Sequence, residues 1–532
     1  MSAVFEEVVS MSEEASLLYG NGNLAQCAKT LQGLQKQLMN VDRWKLDVSV
    51  LWNICGIIKS EVAKWNQGTQ TKVSTDSLIV VSSSLCCLRN TFPHCSRTQL
   101  LVAESEDLLD PIISCIQWTF RDEKELLSQV SQPLELTNIT GGSITQTTEG
   151  IKAAELDMEN DREPHSEWRK AHSTLASACV TCLGNMVAAN STTRKLLWPL
   201  VLPILGDLLA YRDWQVSQMA SMILHNCLLE PSLREELCNN REVDVIIGKL
   251  LSLYVNESQY SCFVLFCLEL LLSNKIIVKA SWPILSGKQK LLCLDVLAAI
   301  LMDPLHSRCE PLPVSTVTFL VNIFKNEADK ILCSLASQLQ EDDSQVLVRL
   351  ANFVCSAAAS DAWRNLLQQD TSLLITSVYL LRSITDMGKL GGNVFTPLSR
   401  LSDLTDEQQM ANAENHPAFG FKCDLIRLIA SLVYRHKGNQ DQIREIGGVT
   451  LLLESSKFDA RNPLIKEISI FAVRNLLEGN LENQQLVKEL KLEGVAENPG
   501  LQELGLEAVC EGDQIRLVQR TSSPLPDEDA EL

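Results

Sequence analysis

Four asparagines recur in one local setting along this chain, and an asparagine amide offers two donors and two acceptor lone pairs, the complement of an extended peptide backbone. The fragments are LRNTFPHCSRTQLLV from Leu88, LGNMVAANSTTRKLLW from Leu183, LHNCLLEPSLREELC from Leu224 and VRNLLEGNLENQQLV from Val473. In each, an apolar residue, any residue and an asparagine are followed eleven positions later by leucine: Asn90 and Leu101, Asn185 and Leu196, Asn226 and Leu237, Asn475 and Leu486. A ladder of such amides on the inner helices of a repeat array would make a partner-binding groove with Asn90, Asn185, Asn226 and Asn475 as its rungs. The competing reading is that each asparagine caps or braces the loop after its own helix.

Other chemistry is sparse. Cys179 and Cys182 form a CxxC, but the pair falls mid-helix on an apolar face with no second pair at zinc-finger spacing, so core packing outranks metal or redox chemistry. The seven histidines form no HExxH, and the chain contains no GxSxG, no GxGxxG after a strand and no phosphate loop, since LSGKQK over 285–290 lacks the loop glycine and the following hydroxyl. The expectation is a protein with no catalytic set, no cofactor site and no metal site. Ser523 before Pro524, in an acidic tail, is a candidate phosphorylation site where added charge would disturb no core. Trp214 and Trp363 are candidate partner anchors wherever the fold leaves them exposed.

The elements that must position these residues read as helices. From Leu175 to Val187 apolar residues fall at 175, 176, 179, 180, 183, 186 and 187, one face of a 3.6-residue helix, and Leu425 to Val433 carries the same stripe at 425, 426, 428, 429, 432 and 433. Aromatics make up only 5% of the chain, which favours helix-on-helix packing over a sheet. One exception is Leu506 to Val518, which could form a short hairpin about Gly512.

At 532 residues the chain exceeds what one compact core supports, so an extended repeat architecture is expected. Asn185 to Asn226 is a step of 41 residues and Ile443 to Val487 a step of 44, within the range of armadillo and HEAT repeats. NQDQIREIGGVTLLLE, with Asn439, Ile443, Gly447 and Gly448, reads as a short helix ending at glycine before a sharp turn into the next helix, and Gly206 and Gly248 are expected to mark the same turn. The unit around Ser431 has serine where asparagine is expected.

Residues 129–168 are polar and rich in turn formers, and are expected to be a disordered acidic insertion. Residues 388–420, with Gly391, Gly392, Pro397 and Pro417, read as a long loop or a degenerate repeat. The expected organisation is helical repeats over 1–128, the insertion over 129–168, armadillo-like repeats over 169–387, the loop over 388–420, further repeats over 421–490, and an extension with an acidic tail over 491–532.

The formal net charge is -20, and more than half of it sits in two segments, 131–168 and 503–532, each with eight carboxylates against two basic side chains. No basic face is present to neutralise phosphates, so nucleic acid is not an expected partner, whereas a basic peptide remains one. The start is acidic where a secretory signal would be basic, and no apolar run is long enough to span a membrane, the nearest, Cys262 to Leu272, being interrupted by Glu269. The 18 cysteines lie mostly in apolar helical patterns, as free thiols do in a reducing compartment. A cytoplasmic protein without a membrane span is the expectation, which makes the sequon-like triplets at Asn138, Asn190 and Asn256 chance matches.

Residues 416–487, HPAFGFKCDLIRLIASLVYRHKGNQDQIREIGGVTLLLESSKFDARNPLIKEISIFAVRNLLEGNLENQQLV, resemble the C-terminal domain of the ataxin-10 family, through GFKCDLIRLI, NQDQI, the Asn462 and Pro463 pair, and AVRNL. The resemblance implies an all-α, armadillo-type right-handed superhelical solenoid that acts as a protein-protein interaction scaffold or adaptor. It further implies roles in neuron survival, neurite outgrowth, cytokinesis and cilium-related assembly. Implied partners are a glycosyltransferase, mitotic kinases, a G-protein β subunit and a second copy of the chain as a homo-oligomer. Implied locations are perinuclear, midbody or ciliary base. The alternative is an importin-like receptor for linear peptide signals, which would place tryptophans one helical turn from the ladder asparagines; none of the four has one three or four residues away.

Overall fold

The computed structural model describes residues 2–41, 45–67, 73–130, 162–256, 262–274, 276–302, 311–333, 341–391, 393, 395–398, 419–457, 459–490, 501, 506–511 and 514–519. The chain divides into two units, Met1–Val296 with Pro304–Pro311, and Leu297–Asp303 with Leu312–Leu532. Both are all-α in their bodies, and the second also carries one two-stranded hairpin.

In the first unit the long helices form two rows. One row is α1 (Ser2–Gly20), α3 (Val48–Gln67), α6 (Glu106–Val130), α8 (Ser191–Leu209) and α11 (Val243–Asn256), each packed on the next. The other is α2 (Leu24–Leu38), α4 (Thr75–Thr91), α7 (Arg162–Val187), α9 (Trp214–Leu228) and α12 (Cys262–Leu272), again each on the next. Every helix of the first row also packs on its successor in chain order in the second, and the core is the slab between the rows. Short helices α5 (Ser96–Glu104), α10 (Pro231–Cys238) and α13 (Ile277–Ser281) sit at the turns, and α14 (Gly287–Met302) runs across the boundary between the two units. No single helical pair could bury its apolar stripes; stacking does it, so that Leu183, Leu224 and Leu268 on successive second-row helices are all fully buried. The stripe from Leu175 to Val187 is buried at all seven expected positions. Close approach of α7 and α9 is set by Gly184, where an added Cβ would lie 2.6 Å from the Met222 side chain.

The second unit repeats the plan with α15 (Val314–Cys333), α16 (Glu341–Ala359), α17 (Asp361–Gln368), α18 (Thr371–Leu390), α19 (Phe421–Val433), α20 (Lys437–Glu445), α21 (Gly448–Glu454), α22 (Ile465–Leu477) and α23 (Leu481–Glu489). Here α16, α19 and α22 pack in succession, with α15, α18 and α21 behind them. The expected stripe on α19 is buried throughout. Strands β1 (Leu506–Glu511) and β2 (Gln514–Gln519) pair antiparallel, as the sequence between Leu506 and Val518 suggests.

One turn recurs four times. The residue four positions after Asn90, Asn185, Ser431 and Asn475 is left-handed in each repeat: His94 (φ 57°), Ala189 (φ 54°), Arg435 (φ 52°) and Gly479 (φ 70°). A left-handed residue ends the helix, and the next residue starts another, of nine residues after His94, Arg435 and Gly479 and of 19 after Ala189. Asn190 and Asn480 do so as N-caps, accepting from the Thr193 and Asn483 amides. Asn190, read as a chance sequon, therefore has a structural task.

The structure corrects several expectations. Gly206 and Gly248 are equivalent in the repeat but are not turns: they lie inside α8 and α11, where Lys249 Nζ donates to the Gly206 carbonyl (2.7 Å) and Gln289 Nε2 to the Gly248 carbonyl (2.9 Å). Gly447, in contrast, is left-handed (φ 68°) and begins α21 as anticipated. Helix α7 starts at Arg162, seven residues inside the expected insertion, because Trp168 has a place in the fold: its Nε1 donates to the Val73 carbonyl (2.9 Å) and its ring stacks on His172. Helix α6 likewise runs to Val130, two residues into it, and residues 131–161, where the remainder of that expectation falls, lie outside the described residues. The start of the expected loop over 388–420 is tied to the fold, with the Ala460 amide donating to the Leu398 carbonyl (3.0 Å) and Lys422 Nζ to the Phe395 carbonyl (2.9 Å). Among the described residues no helix is long and apolar enough to cross a membrane.

Candidate functional site

The ladder asparagines are engaged within the chain. Asn90 Nδ2 donates to the Gln35 carbonyl (3.0 Å), Asn185 Nδ2 to the Arg89 carbonyl (3.2 Å) and Asn475 Nδ2 to the Ala430 carbonyl (3.0 Å). Each acceptor belongs to the preceding second-row helix, and for Asn185 and Asn475 it is the residue just before the preceding rung. Asn90 and Asn475 are also buried. This corrects the expectation of amides open to an extended peptide: these three bind one repeat to the repeat before it, because a carbonyl at a buried helix end needs a donor. Asn226 is half-buried on α9. Asn90, Asn185 and Asn226 lie in the first unit and Asn475 in the second.

The sequence reading missed the return half of this lock. Nine residues after Asn90, Ala359 and Ser431 stands a glutamine that reaches forward, whereas the same offset from Asn185 and Asn226 gives Arg194 and Glu235. Gln99 Nε2 donates to the Asn185 and Ala188 carbonyls (2.7 and 3.0 Å), Gln368 Nε2 to those of Ser431 and Tyr434 (3.1 and 2.8 Å), and Gln440 Nε2 to those of Asn475 and Glu478 (2.9 and 3.2 Å). The available signal was the Asn439 and Gln440 pair in NQDQI, which recurs as Asn483 and Gln484. Asn439 Nδ2 likewise crosses to the Gln368 carbonyl (3.0 Å), and Asn483 Nδ2 to that of Gln440 (3.2 Å). Asn462 accepts from the Lys422 and Cys423 amides (3.1 and 3.4 Å), capping α19 from the next repeat.

The ladder is interrupted in the second unit. By the nine-residue offset from Gln368 and Gln440, the rungs there are Ala359 and Ser431. Alanine has no donor, and the Ser431 hydroxyl reaches only its own helix, donating to the Arg427 carbonyl (3.0 Å). The carbonyl of Ala358, which a longer side chain at 431 would meet, is taken by Arg364 Nε (3.2 Å). A hollow of about 390 Å³ lined by Ala359 and Ser431 opens at this gap, and it adjoins one of about 350 Å³ that shares Arg364, Ser431 and Phe471 and reaches the intact rung Asn475. Phe471, on α22, is 47% exposed and Ile470 57%. Arg364 and Arg435 lie over the ring of Tyr434, 5.3 and 5.0 Å from its centroid, which holds both guanidinium groups at the rim.

The remaining sequence candidates fall elsewhere. Cys179 and Cys182 are both fully buried, and Cys179 Sγ lies 3.8 Å from Cys115 Sγ, with burial holding the Cys182 thiol well above its ordinary range. The pair is core, as expected. Among the described residues no group of three or more His, Cys, Asp or Glu side chains is placed to hold a metal ion. Trp214 is 41% exposed, whereas Trp363 is half-buried. Ser523 lies outside the described residues.

Residues 421–518 match the family described as "Spinocerebellar ataxia type 10 protein domain". The chain is 29% identical over 350 residues to ataxin-10 of Macaca fascicularis, which covers 65% of this chain and 71% of that protein. It is 54% identical over 88 residues to the ataxin-10 homolog of Dictyostelium discoideum, covering 16% of this chain and 14% of the homolog. Among solved structures, a SYS-1/POP-1 complex superposes over 88% of this chain and 75% of its own at 12% identity with a TM-score of 0.31; the helical fold described above stands without it. The motifs GFKCDLIRLI, NQDQI, Asn462 with Pro463, and AVRNL thus fall where repeats are tied together: residues 421–518 match the ataxin-10 domain, and sequence likeness to ataxin-10 proteins extends over 65% of the chain.

Proposed function

We propose that this protein is a non-enzymatic scaffold of the cytoplasm that holds partner proteins on its stacked helical repeats. The observation that carries the reading is the row of α16, α19 and α22 in the second unit: α19 and α22 are locked together by side-chain amides, yet leave Ile470 and Phe471 exposed, Phe471 on the wall of two adjoining hollows. A rigid face with uncovered apolar side chains is what a protein partner requires. Fifteen cysteines, from Cys27 to Cys423, are free thiols, in keeping with a reducing compartment. Likeness to ataxin-10 proteins supports the finer reading, with roles in neuron survival, neurite outgrowth, cytokinesis and cilium-related assembly, action near the nucleus, the midbody or the ciliary base, and a glycosyltransferase, mitotic kinases, a G-protein β subunit and the chain itself as partners.

The importin-like alternative gains nothing from the geometry, because the amides such a receptor would offer to a peptide backbone are committed at Asn90, Asn185 and Asn475. Affinity capture of the intact chain from cytosol, quantified against a bait of the same size and net charge, tests the scaffold reading. The expected result is a small set of proteins retained in fixed ratio to the bait. Retention no greater than on the control bait would overturn it.

A further inference from the structure

We propose that the gap in the amide ladder at Ala359 and Ser431 is a docking site for an acidic linear peptide of another protein, anchored by an apolar side chain against Phe471. The inference rests on the scaffold reading and names the chemistry of one partner.

Three independent features converge on the gap. The first is its origin. Where asparagine occupies the rung, its amide fills the space between neighbouring second-row helices and takes the preceding repeat's carbonyl, as at Asn475. Alanine and serine at successive rungs leave that space open while the forward brace from Gln368 keeps the repeats in register, so the hollow sits within a fixed frame. The second is the anchor: Phe471 is shared by both hollows and is 47% exposed on a helix whose opposite face is core. Exposing an aromatic side chain to water is unfavourable, and an apolar side chain laid against it would remove that area from solvent.

The third feature is charge. In a chain of net charge -20, the two hollows are lined by four arginines against two glutamates. Three of the four have a carboxylate within the chain: Arg364 pairs with Asp361 (2.7 Å), Arg427 with Asp424 (2.9 Å) and Arg435 with Glu478 (3.5 Å). Arg474 pairs with no carboxylate among the described residues, and it stands one helical turn from Phe471 on α22. A carboxylate on the ligand would meet it while an apolar neighbour met Phe471, which is the pattern of an acidic residue a few positions from a leucine or similar group. A long polyanion such as a nucleic acid is disfavoured, because beyond this local cluster it would face the acidic remainder of the chain.

The test is fluorescence anisotropy with the purified full-length protein and a labelled peptide of about ten residues, glutamates flanking a central leucine, alongside its lysine counterpart. The acidic peptide should bind and the lysine peptide should not, with affinity falling as salt is raised. Arg474→Glu should weaken binding by about tenfold or more, the worth of one charge-assisted contact. Phe471→Ala should weaken it similarly. Ser431→Asn is the decisive variant: it restores the rung, so it should abolish binding while circular dichroism and the melting temperature remain at or above those of the parent. Equal binding of both peptides, or of a single-stranded oligonucleotide, would overturn the proposal, as would a Ser431→Asn protein that binds like the parent. A chain ending at Gln519 that binds more tightly, together with competition by a peptide of residues 520–532, would give the site to the chain's own tail and overturn it in its present form. The scaffold reading is judged separately, since captured proteins would persist on Ser431→Asn if the repeats hold partners elsewhere.

Discussion

Gln440 reaches across a repeat boundary to the carbonyl of Asn475 at 2.9 Å, while Asn475 reaches back across the same boundary to the carbonyl of Ala430 at 3.0 Å. The two amides run in opposite directions, so the boundary between α19 and α22 is closed from both ends. Carbonyls at the ends of these helices have no partner within their own helix, and being buried they would be destabilising if left unpaired. The neighbour's side chain supplies what the helix lacks, which makes each repeat dependent on the next. A motif built this way looks like a binding ladder in the sequence and acts as a lock in the fold.

The recurring left-handed turn yields a clean backbone test. Gly479 has φ 70°, and a Cβ added there would meet nothing within 4 Å. Gly479→Ala therefore changes only the backbone preference, and should lower stability by about 1 kcal/mol in urea unfolding. The equivalent Ala189 already carries a Cβ at φ 54°, so the turn should still form. A loss of several kcal/mol, or none, would mean that the turn is not held as described.

Glu61 makes the first unit sensitive to acid. Its carboxylate is 3% exposed, and accepts from Lys64 Nζ (2.6 Å), from Tyr19 Oη (2.9 Å) and from Ser77 Oγ, which itself accepts from Trp65 Nε1 (2.8 Å). Burial alone would raise its pKa; the hydrogen bonds from Lys64, Ser77 and Tyr19 outweigh that and hold it below the usual carboxylate range. A depressed folded-state pKa stabilises above the unfolded value, near 4.3, and that contribution is lost as pH falls through the folded value. Thermal melts of the parent should thus fall more steeply below about pH 4.3 than those of Glu61→Gln, which should be less stable at pH 7. Parallel pH profiles would contradict the network.

Thiol reactivity should divide by burial. Cys262 is exposed, whereas Cys115, Cys179 and Cys182 are fully buried and Cys55 is pushed up to about 12 by burial. Iodoacetamide acting on native protein, followed by peptide mapping, should label Cys262 first and leave the CxxC pair untouched until denaturant is added. Labelling of Cys179 or Cys182 as quickly as Cys262 would reopen a redox role for the pair.

Helix periodicity was legible because it is a local signal: the stripes on α7 and α19 are read from spacing alone and are buried at every expected position. The hairpin at Leu506–Gln519 was legible for the same reason. What spacing could not give was the partner of a polar side chain. An asparagine that donates to a carbonyl 96 residues earlier, as Asn185 does to Arg89, is indistinguishable in sequence from one that faces a ligand. Gly206 and Gly248 misled in a related way, since a glycine before a leucine pair also suits a helix whose carbonyl is met by a neighbour's Lys249 or Gln289. The candidate docking site was hidden for the opposite reason: it follows from what is missing at Ala359 and Ser431, and a missing rung has meaning only after the others have been placed.

The claim on which the solenoid, its rigid face and its partners all depend is that neighbouring repeats are locked by side-chain amides crossing between them. Equilibrium urea unfolding of Gln440→Ala against Gln484→Ala tests it most directly, because the two glutamines are equivalent in sequence, yet Gln440 is buried between repeats and Gln484 is exposed and donates only to the carbonyl of Leu477, the last residue of α22 (2.8 Å). The account predicts a loss of about 1–3 kcal/mol for Gln440→Ala, which strands two carbonyls, and within about 0.5 kcal/mol of the parent for Gln484→Ala. Equal losses for the two variants would contradict it.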